Sequence, residues 1–441
     1  MPAREIPIAS ITPDTSGAIG EQDKGTHSNP DIQHLMRAGT LNLTSLPPLS
    51  LYIHLPWCLK KCPYCDFNSH AFNPEAPNPE TSNPNTPIAQ SELPEARYID
   101  ALINDLEASL PLIWGRSIHT VFMGGGTPSL FSPKSIERLI SGIRSRLVLL
   151  PGCEITLEAN PGTFERDRFK AFKDAGVTRL SLGVQSFNDD ALKALGRVHD
   201  SEQAKAAATE ASQVFETFNL DLMYALPNQS LEDLTIDLKT ALSFNPYHLS
   251  IYHLTLEPNT LFVKYPPKDL PSEDTAYEML DVITDFAKAS GLQRYEVSAF
   301  AKPGHRCQHN LNYWQFGDYL GIGAGAHSKL SFAHRIIRQI RHREPLLYMD
   351  KALSNAAAVA KTEEVSRKEL PFEFMLNLTR LKEGFNLDLF MERTGMPLSA
   401  VQVALEEAVS KGLLERDMMH VSPTVKGFDF LSDLQSLFLP G

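Results

Sequence analysis

The sequence predicts an α/β fold: about six βα units forming a partial (βα)6 barrel, followed by a small helical module that ends in a hairpin. Three observations predict it. Between Ser50 and Leu254 short apolar runs alternate with helix-length amphipathic segments, the pattern of a parallel sheet. Polar residues recur at the ends of successive runs, where sheets of this kind bind their ligands. Beyond about residue 369 three helical patterns precede a hairpin bracketed by Gly412 and Pro423. A length of 441 residues suits two domains, because single cores stop growing at roughly 250–300 residues.

Taken in order, residues 1–48 are polar and rich in Pro, Gly, Ser and Thr, and read as a disordered or loosely packed arm with one short helix near Ile32–Arg37. Ser50–Leu55 is an apolar strand ended by Pro56. Prolines at 74, 77, 79, 84, 87 and 94 make 72–94 a surface insertion, since they forbid helix and central strand alike. Helix 95–110, strand 117–123, helix 133–147, strand 153–159, helix 165–175 and strand 179–185 follow. Helices near 188–195 and 201–215, strand 218–224, helix 231–243 and strand 248–254 complete the series. Six units fall short of the eight of a closed barrel. Residues 255–368 read as an extension of the barrel. In 369–441, helices at 370–382, 386–394 and 398–411 with a hairpin over Leu413–Val421 resemble a winged-helix module.

Composition narrows the function. The hydrophobic share of 42% is that of a globular protein, and a formal charge of −12 argues against a nucleic-acid partner. A DNA-binding redox regulator is a third reading of the tail module, and the sparse basic residues of 369–432 count against it. No apolar run approaches the roughly 20 residues that span a bilayer. The start has neither an apolar leader core nor the acid-poor character of a transit peptide, so a cytoplasmic location is expected.

Of the five cysteines, three fall in Cys58-Leu-Lys-Lys-Cys62-Pro-Tyr-Cys65, directly after the first strand. Four thiolates are the usual complement of a [4Fe–4S] cluster, so three leave one iron open to a small ligand. S-adenosylmethionine (SAM), chelating that iron and cleaved to a deoxyadenosyl radical, is radical SAM chemistry, and C-x3-C-x2-C is that superfamily's signature. A structural zinc site of three cysteines with His54 or His70 is the alternative. Cys153 reads as a strand residue.

The segments YIHLPWC, CPYCDFNSH, GGGTPSLF, LEANPGTF, LGVQSFND, LGRVH and DLMYALPNQ resemble the radical SAM family that contains the oxygen-independent coproporphyrinogen III oxidases and the HemW-type heme chaperones. The likeness runs from about residue 49 to the end, and it makes 49–254 a radical SAM partial barrel. It implies Cys58, Cys62 and Cys65 as cluster ligands, with Tyr52 and Tyr64 beside cluster and SAM. It implies Gly125, Gly126 and Thr127 around the methionine moiety, and Glu158, Gln185, Arg197 and Asp221 as hydrogen-bonding partners of SAM.

Within that family the oxidases carry a fourth cysteine two positions after the third, where this chain has Phe67. The segment His309-Asn310-Leu311-Asn312-Tyr313-Trp314 matches the H-N-x-x-Y-W motif of the chaperone branch. An imidazole can ligate heme iron, and Tyr and Trp can cover a macrocycle. Cys307 is a further heme-ligand candidate, against which stands a buried apolar thiol. The resemblance therefore implies a heme chaperone with heme and recipient hemoproteins as partners, a retained cluster and SAM site without oxidase turnover, and room for a homodimer. The alternative is an oxidase-like oxidoreductase of porphyrin biosynthesis.

Overall fold

A computed structural model of the chain describes residues 35, 37–72, 93–163, 167–354 and 356–440. The six expected strands are β1 (Leu49–Leu55), β2 (Ile118–Gly125), β3 (Leu149–Ala159), β4 (Arg179–Gln185), β5 (Thr217–Tyr224) and β6 (His248–His253). Each pairs in parallel with the next. Helices Glu95–Ile113, Pro133–Arg144, Arg168–Asp174, Ser201–Val214 and Leu231–Ser243 return the chain between them. Their starts are written locally. Asp200 and Gln203 form one capping box, Ser230 and Asp233 another, and Ser132 caps the helix that opens on Pro133. The first of these helices outlasts the expected end at 110 and stops where Trp114 turns left-handed at φ 51°.

The sheet is wider than six strands. β7 (Asp318–Ile322) lies parallel to β1 on its free side, and β8 (His327–Phe332), β9 (Arg335–Arg341) and β10 (Val359–Glu364) continue antiparallel. On the other edge Ala299–Ala301 and Gln293–Arg294 add two short antiparallel strands. The result is an open sheet of twelve strands, a partial barrel whose two edges come from the region 255–368.

Strand alternation sorts the side chains. Leu51, Ile53, Leu157, Leu180, Leu182, Leu220 and Leu222 join the main apolar core under the helices. Their neighbours Tyr52, Thr156, Glu158, Arg179, Ser181, Asn219 and Asp221 line the barrel lumen. The lumen is therefore polar, which a filled structural barrel would not be.

A second core gathers the helices Leu370–Leu378, Asp388–Thr394 and Gln402–Ser410 around Phe374, Phe390 and Leu405. Strands Phe385–Asn386, His420–Pro423 and Leu414–Arg416 form the expected hairpin with one added strand. The end of the N-terminal arm departs from the loosely packed expectation. Leu41 and Leu43 are buried in this second core, and Leu43 N donates to Ala333 O at 2.9 Å while Asn42 N donates to Gly395 O at 3.2 Å. The alternating Leu-Asn-Leu lets this segment staple the β8–β9 turn to the C-terminal unit. Residues 1–34, 36 and 73–92, the rest of the arm with most of the short helix expected near Ile32–Arg37 and most of the insertion, lie outside the described residues.

Candidate functional site

One cavity of about 780 Å³ opens at the C-terminal ends of β1–β6 and runs down into the lumen. All the site residues expected from sequence line it: Cys58, Cys62 and Cys65, Tyr52 and Tyr64, Gly125 to Thr127, Glu158, Gln185, Arg197, Asp221 and His309. Phe67 and Cys307 line it as well.

The cysteine loop is held from three sides. The Pro56 carbonyl accepts from His70 N at 2.7 Å, Pro63 O accepts from Phe262 N at 3.0 Å, and Arg197 Nη1 reaches Cys62 Sγ at 3.6 Å. All three thiols are half-buried. Burial pushes the Cys58 thiol up, and its contact with the Thr127 hydroxyl partly opposes that. His54 does not fit as a fourth ligand of zinc. Its Nε2 donates to Asn68 O at 2.9 Å, so its Nδ1 must accept the Tyr52 hydroxyl at 3.0 Å, and no nitrogen is left for a metal. Among the described residues no group of three or more His, Cys, Asp or Glu side chains is disposed to hold a single ion. A cluster makes a different demand, one thiolate on each of several irons, and three thiols facing one cavity from a short loop suit it.

The glycine run at the end of β2 is packed too tightly for side chains. A Cβ on Gly125, whose φ is +113°, would fall 2.4 Å from the His54 ring, and one on Gly126 would fall 2.6 Å from the Trp57 carbonyl. The loop's amides are already engaged: Gly125 N with Glu158 at 3.1 Å, Gly126 N with Leu55 O at 2.9 Å, Thr127 N with Trp57 O at 2.7 Å. What the loop offers a ligand is close backbone approach and carbonyl oxygens, which suit an ammonium group better than a carboxylate. Gly126→Ala is expected to lower apo-protein stability in urea titrations by about 1–3 kcal/mol, because the backbone it meets cannot yield cheaply. An unchanged midpoint would mean the loop can relax.

Two carboxylates line the lumen from β3 and β5. Burial, then the neighbouring Asp221, pushes Glu158 up to about 7, and Gly125 N–H partly offsets this. Burial likewise raises Asp221 to about 6 against hydrogen bonds from Asn219 (2.7 Å) and Ser181 (3.2 Å). Arg197 is pinned by Gly183 O at 2.7 Å as well as by Cys62, with its Nε buried and unpartnered. Gln185 sits at φ 70°, an uncommon conformation for a residue other than glycine, at the cavity wall.

His309 lies deep in the wall, 1% exposed. Thr120 Oγ1 donates to Ser50 Oγ at 2.8 Å, so it accepts from His309 Nδ1, also at 2.8 Å. The Nε2 lone pair is then free, and it is buried without a partner. Burial lowers the imidazole to about 3, which keeps it neutral. Phe122 stacks on the ring at 4.9 Å and Tyr313 meets it edge-on at 5.0 Å. Trp314 does not join them: at the end of helix Gln308–Trp314 it packs against the second core with the Arg380 guanidinium 4.3 Å over its ring. Helical spacing puts 309 and 313 on one face and turns 314 away. Cys307 is a buried thiol pushed up to about 12 by desolvation.

Sequence reading missed the lumen floor. Thr156, Arg179, Ser181, Asn219, His248 and Ser250 line the cavity below the strand ends. Thr156 Oγ1 and Arg179 Nη2 are buried there without partners. The signal was present as period-two polarity in RLSLGVQ, FNLDL and HLSIY.

A half-open parallel barrel carrying three cysteines at the end of its first strand and a glycine loop at the end of its second defines a radical SAM protein. Residues 52–241 match the radical SAM superfamily and 365–430 match the HemN C-terminal domain. The chain belongs to the HemW family. It is 45% identical over 399 residues to the heme chaperone HemW of Escherichia coli K12, covering 90% of this chain and all of that protein. To the heme chaperone HemW of Bacillus subtilis it is 33% identical, over 85% of this chain and 93% of that one. The coproporphyrinogen III oxidase HemN of Escherichia coli has the same fold, with a TM-score of 0.72 over 89% of this chain and 90% of that one, at 23% identity. No helix among the described residues is long and apolar enough to cross a membrane.

Proposed function

We propose that this chain is a heme chaperone: it binds heme and delivers it to hemoproteins, and it keeps a [4Fe–4S] cluster with a SAM site. The observation that carries the reading is His309, a neutral imidazole with Nδ1 fixed by Thr120 and Nε2 unpartnered, in the wall of the cavity that holds the three cysteines. A ligating histidine needs that state: one nitrogen oriented by a hydrogen bond, the other bare. Nε2 is buried, so heme capture includes a local rearrangement of the wall around it.

Cys58, Cys62 and Cys65 would hold the cluster, and Arg197 would steady it through Cys62. The carbonyls of Gly125 and Gly126, with Thr127 and Glu158, would bind the amine end of SAM. Gln185 and Asp221 would take its remaining polar groups, and Tyr52 and Tyr64 would flank the pair. When bound, the cluster and SAM supply one-electron chemistry, which the chain's own residues only orient and shield. A cytoplasmic setting would keep the thiols reduced.

The competing reading, oxidative decarboxylation of a porphyrinogen, draws on the shared fold. Phe67, 64% exposed where the oxidases have a cysteine, favours the chaperone. Heme titration and an oxidase assay on one anaerobically reconstituted sample test the choice. Stoichiometric heme binding without porphyrinogen turnover is expected, and turnover to protoporphyrinogen would overturn it. His309→Ala is expected to weaken heme binding by about tenfold or more and to shift the Soret band. Unchanged heme spectra would assign the iron to another side chain.

A further inference from the structure

We infer that the floor of the lumen binds a carboxylate group, carried by a ligand that also presents a Lewis-acidic or hydrogen-donating centre. The inference rests on the heme reading above only for one of the two sources of that carboxylate. Phe122 of β2, Thr156 of β3 and Arg179 of β4 are register partners on adjacent strands, and His309 stacks on Phe122 at 4.9 Å. Positions at one level of a parallel sheet share a face, with the strands about 4.8 Å apart. All four side chains line the same cavity. Thr156, Arg179 and His309 are each no more than 2% exposed. Each also presents a buried polar atom without a partner: Thr156 Oγ1, Arg179 Nη2 and His309 Nε2.

The levels above make no such demand. Ser181 donates to Asp221 at 3.2 Å, Asn219 to Ser181 at 2.8 Å and to Asp221 at 2.7 Å, and Ser250 to Asn219 at 3.1 Å. His248 engages both ring nitrogens, with Asn219 at 2.7 Å and Tyr295 at 2.9 Å. These groups satisfy one another and leave the donors at the floor uncommitted. Arg179 fixes the sign of the ligand. Its Nη1 donates to Glu154 and to the His305 carbonyl, both at 3.2 Å, and the Nη2 edge of the guanidinium stays open. That ion pair is unequal. The Glu154 side chain is 15% exposed and that of Arg179 3%, so solvent screens the carboxylate more than the cation. A buried guanidinium edge beside a free hydroxyl suits a carboxylate. The bare Nε2 of His309 asks for the opposite partner, a metal or a donated hydrogen. Two ligands carry both ends: heme, with its iron and propionates, and a small hydroxy acid, with its hydroxyl and carboxylate.

The test titrates the full chain with three probes: heme, heme dimethyl ester, whose propionates are blocked, and malate. Heme and its ester are followed by the Soret band, malate by calorimetry. If the carboxylate is a propionate, wild type should bind heme about tenfold or more tighter than the ester, and Arg179→Gln should erase that difference by weakening heme alone. If it belongs to a small hydroxy acid, heme and ester should bind alike, and malate should bind wild type but not Arg179→Gln. Thr156→Val removes the hydroxyl and leaves the Arg179–Glu154 pair in place. It should weaken the same probe severalfold, and it guards against an Arg179→Gln chain that fails to fold. No malate binding by wild type, together with heme and ester that bind alike or not at all, would overturn the inference. So would a heme–ester difference, or malate binding, that both variants retain. A wild type that binds malate through Arg179 but neither porphyrin fails the heme reading and keeps the floor site, so the two failures are read separately.

Discussion

Cys58→Ala is expected to abolish cluster assembly: the anaerobically reconstituted variant should show none of the broad visible absorption of a [4Fe–4S] centre and no SAM binding. With three protein thiolates for four irons there is no spare ligand, and loss of one leaves two irons without a protein ligand. The fold should survive. Cys58 is half-exposed and its side chain touches the Thr127 hydroxyl, so apo-protein stability should change by no more than about 1 kcal/mol. Cys153→Ala and Cys307→Ala are the controls. Burial pushes Cys153 up to about 11 and Cys307 to about 12, which leaves both as protonated packing residues at neutral pH. Their variants should keep the full absorption. Retention of it by Cys58→Ala, or its loss in Cys307→Ala, would reassign the ligand set.

The six strands and the site at their ends were legible because both are written locally. Each strand is a short apolar run, and Cys58, Gly125, Glu158 and Gln185 each sit where a run ends. The sheet edges were not legible, because their partners are distant: Asp318 of β7 is paired with Leu49 of β1, and neither run announces the other. The end of the arm was misjudged for the same reason. Leu41 and Leu43 look like stray leucines in a polar tract until Val365, Phe374 and Phe390 give them a core. The lumen floor was a missed period. Arg179 read as the first residue of a strand, yet the two-residue alternation that continues through Ser181 and Gly183 points it inward, onto Glu154 at 3.2 Å. Trp314 shows the converse error, a motif read as one surface when helical geometry divides it between two.

Glu158→Gln should produce two effects of opposite sign. In the apo-protein Glu158 is raised to about 7, chiefly by burial and then by Asp221, against about 4.3 for an unfolded glutamate. The native state therefore keeps a proton that the unfolded state has released, and stability falls as pH rises from about 4.5 to 7. A glutamine keeps the shape, still accepts from Gly125 N and cannot ionise. Its apo-protein should match wild type near pH 4 and exceed it at pH 8 by on the order of 3 kcal/mol. Asp221, raised to about 6, contributes a drift of the same sign that remains in the variant. SAM reverses the sign. Its positive charge favours the ionised carboxylate, so wild-type affinity should rise from pH 6 to pH 8 as Glu158 gives up its proton, while the variant binds more weakly and loses most of that rise. Urea titrations and SAM titrations at three pH values measure both effects. Parallel stability profiles for the two proteins would mean that Glu158 is ionised throughout and that the lumen is wetter than its packing indicates.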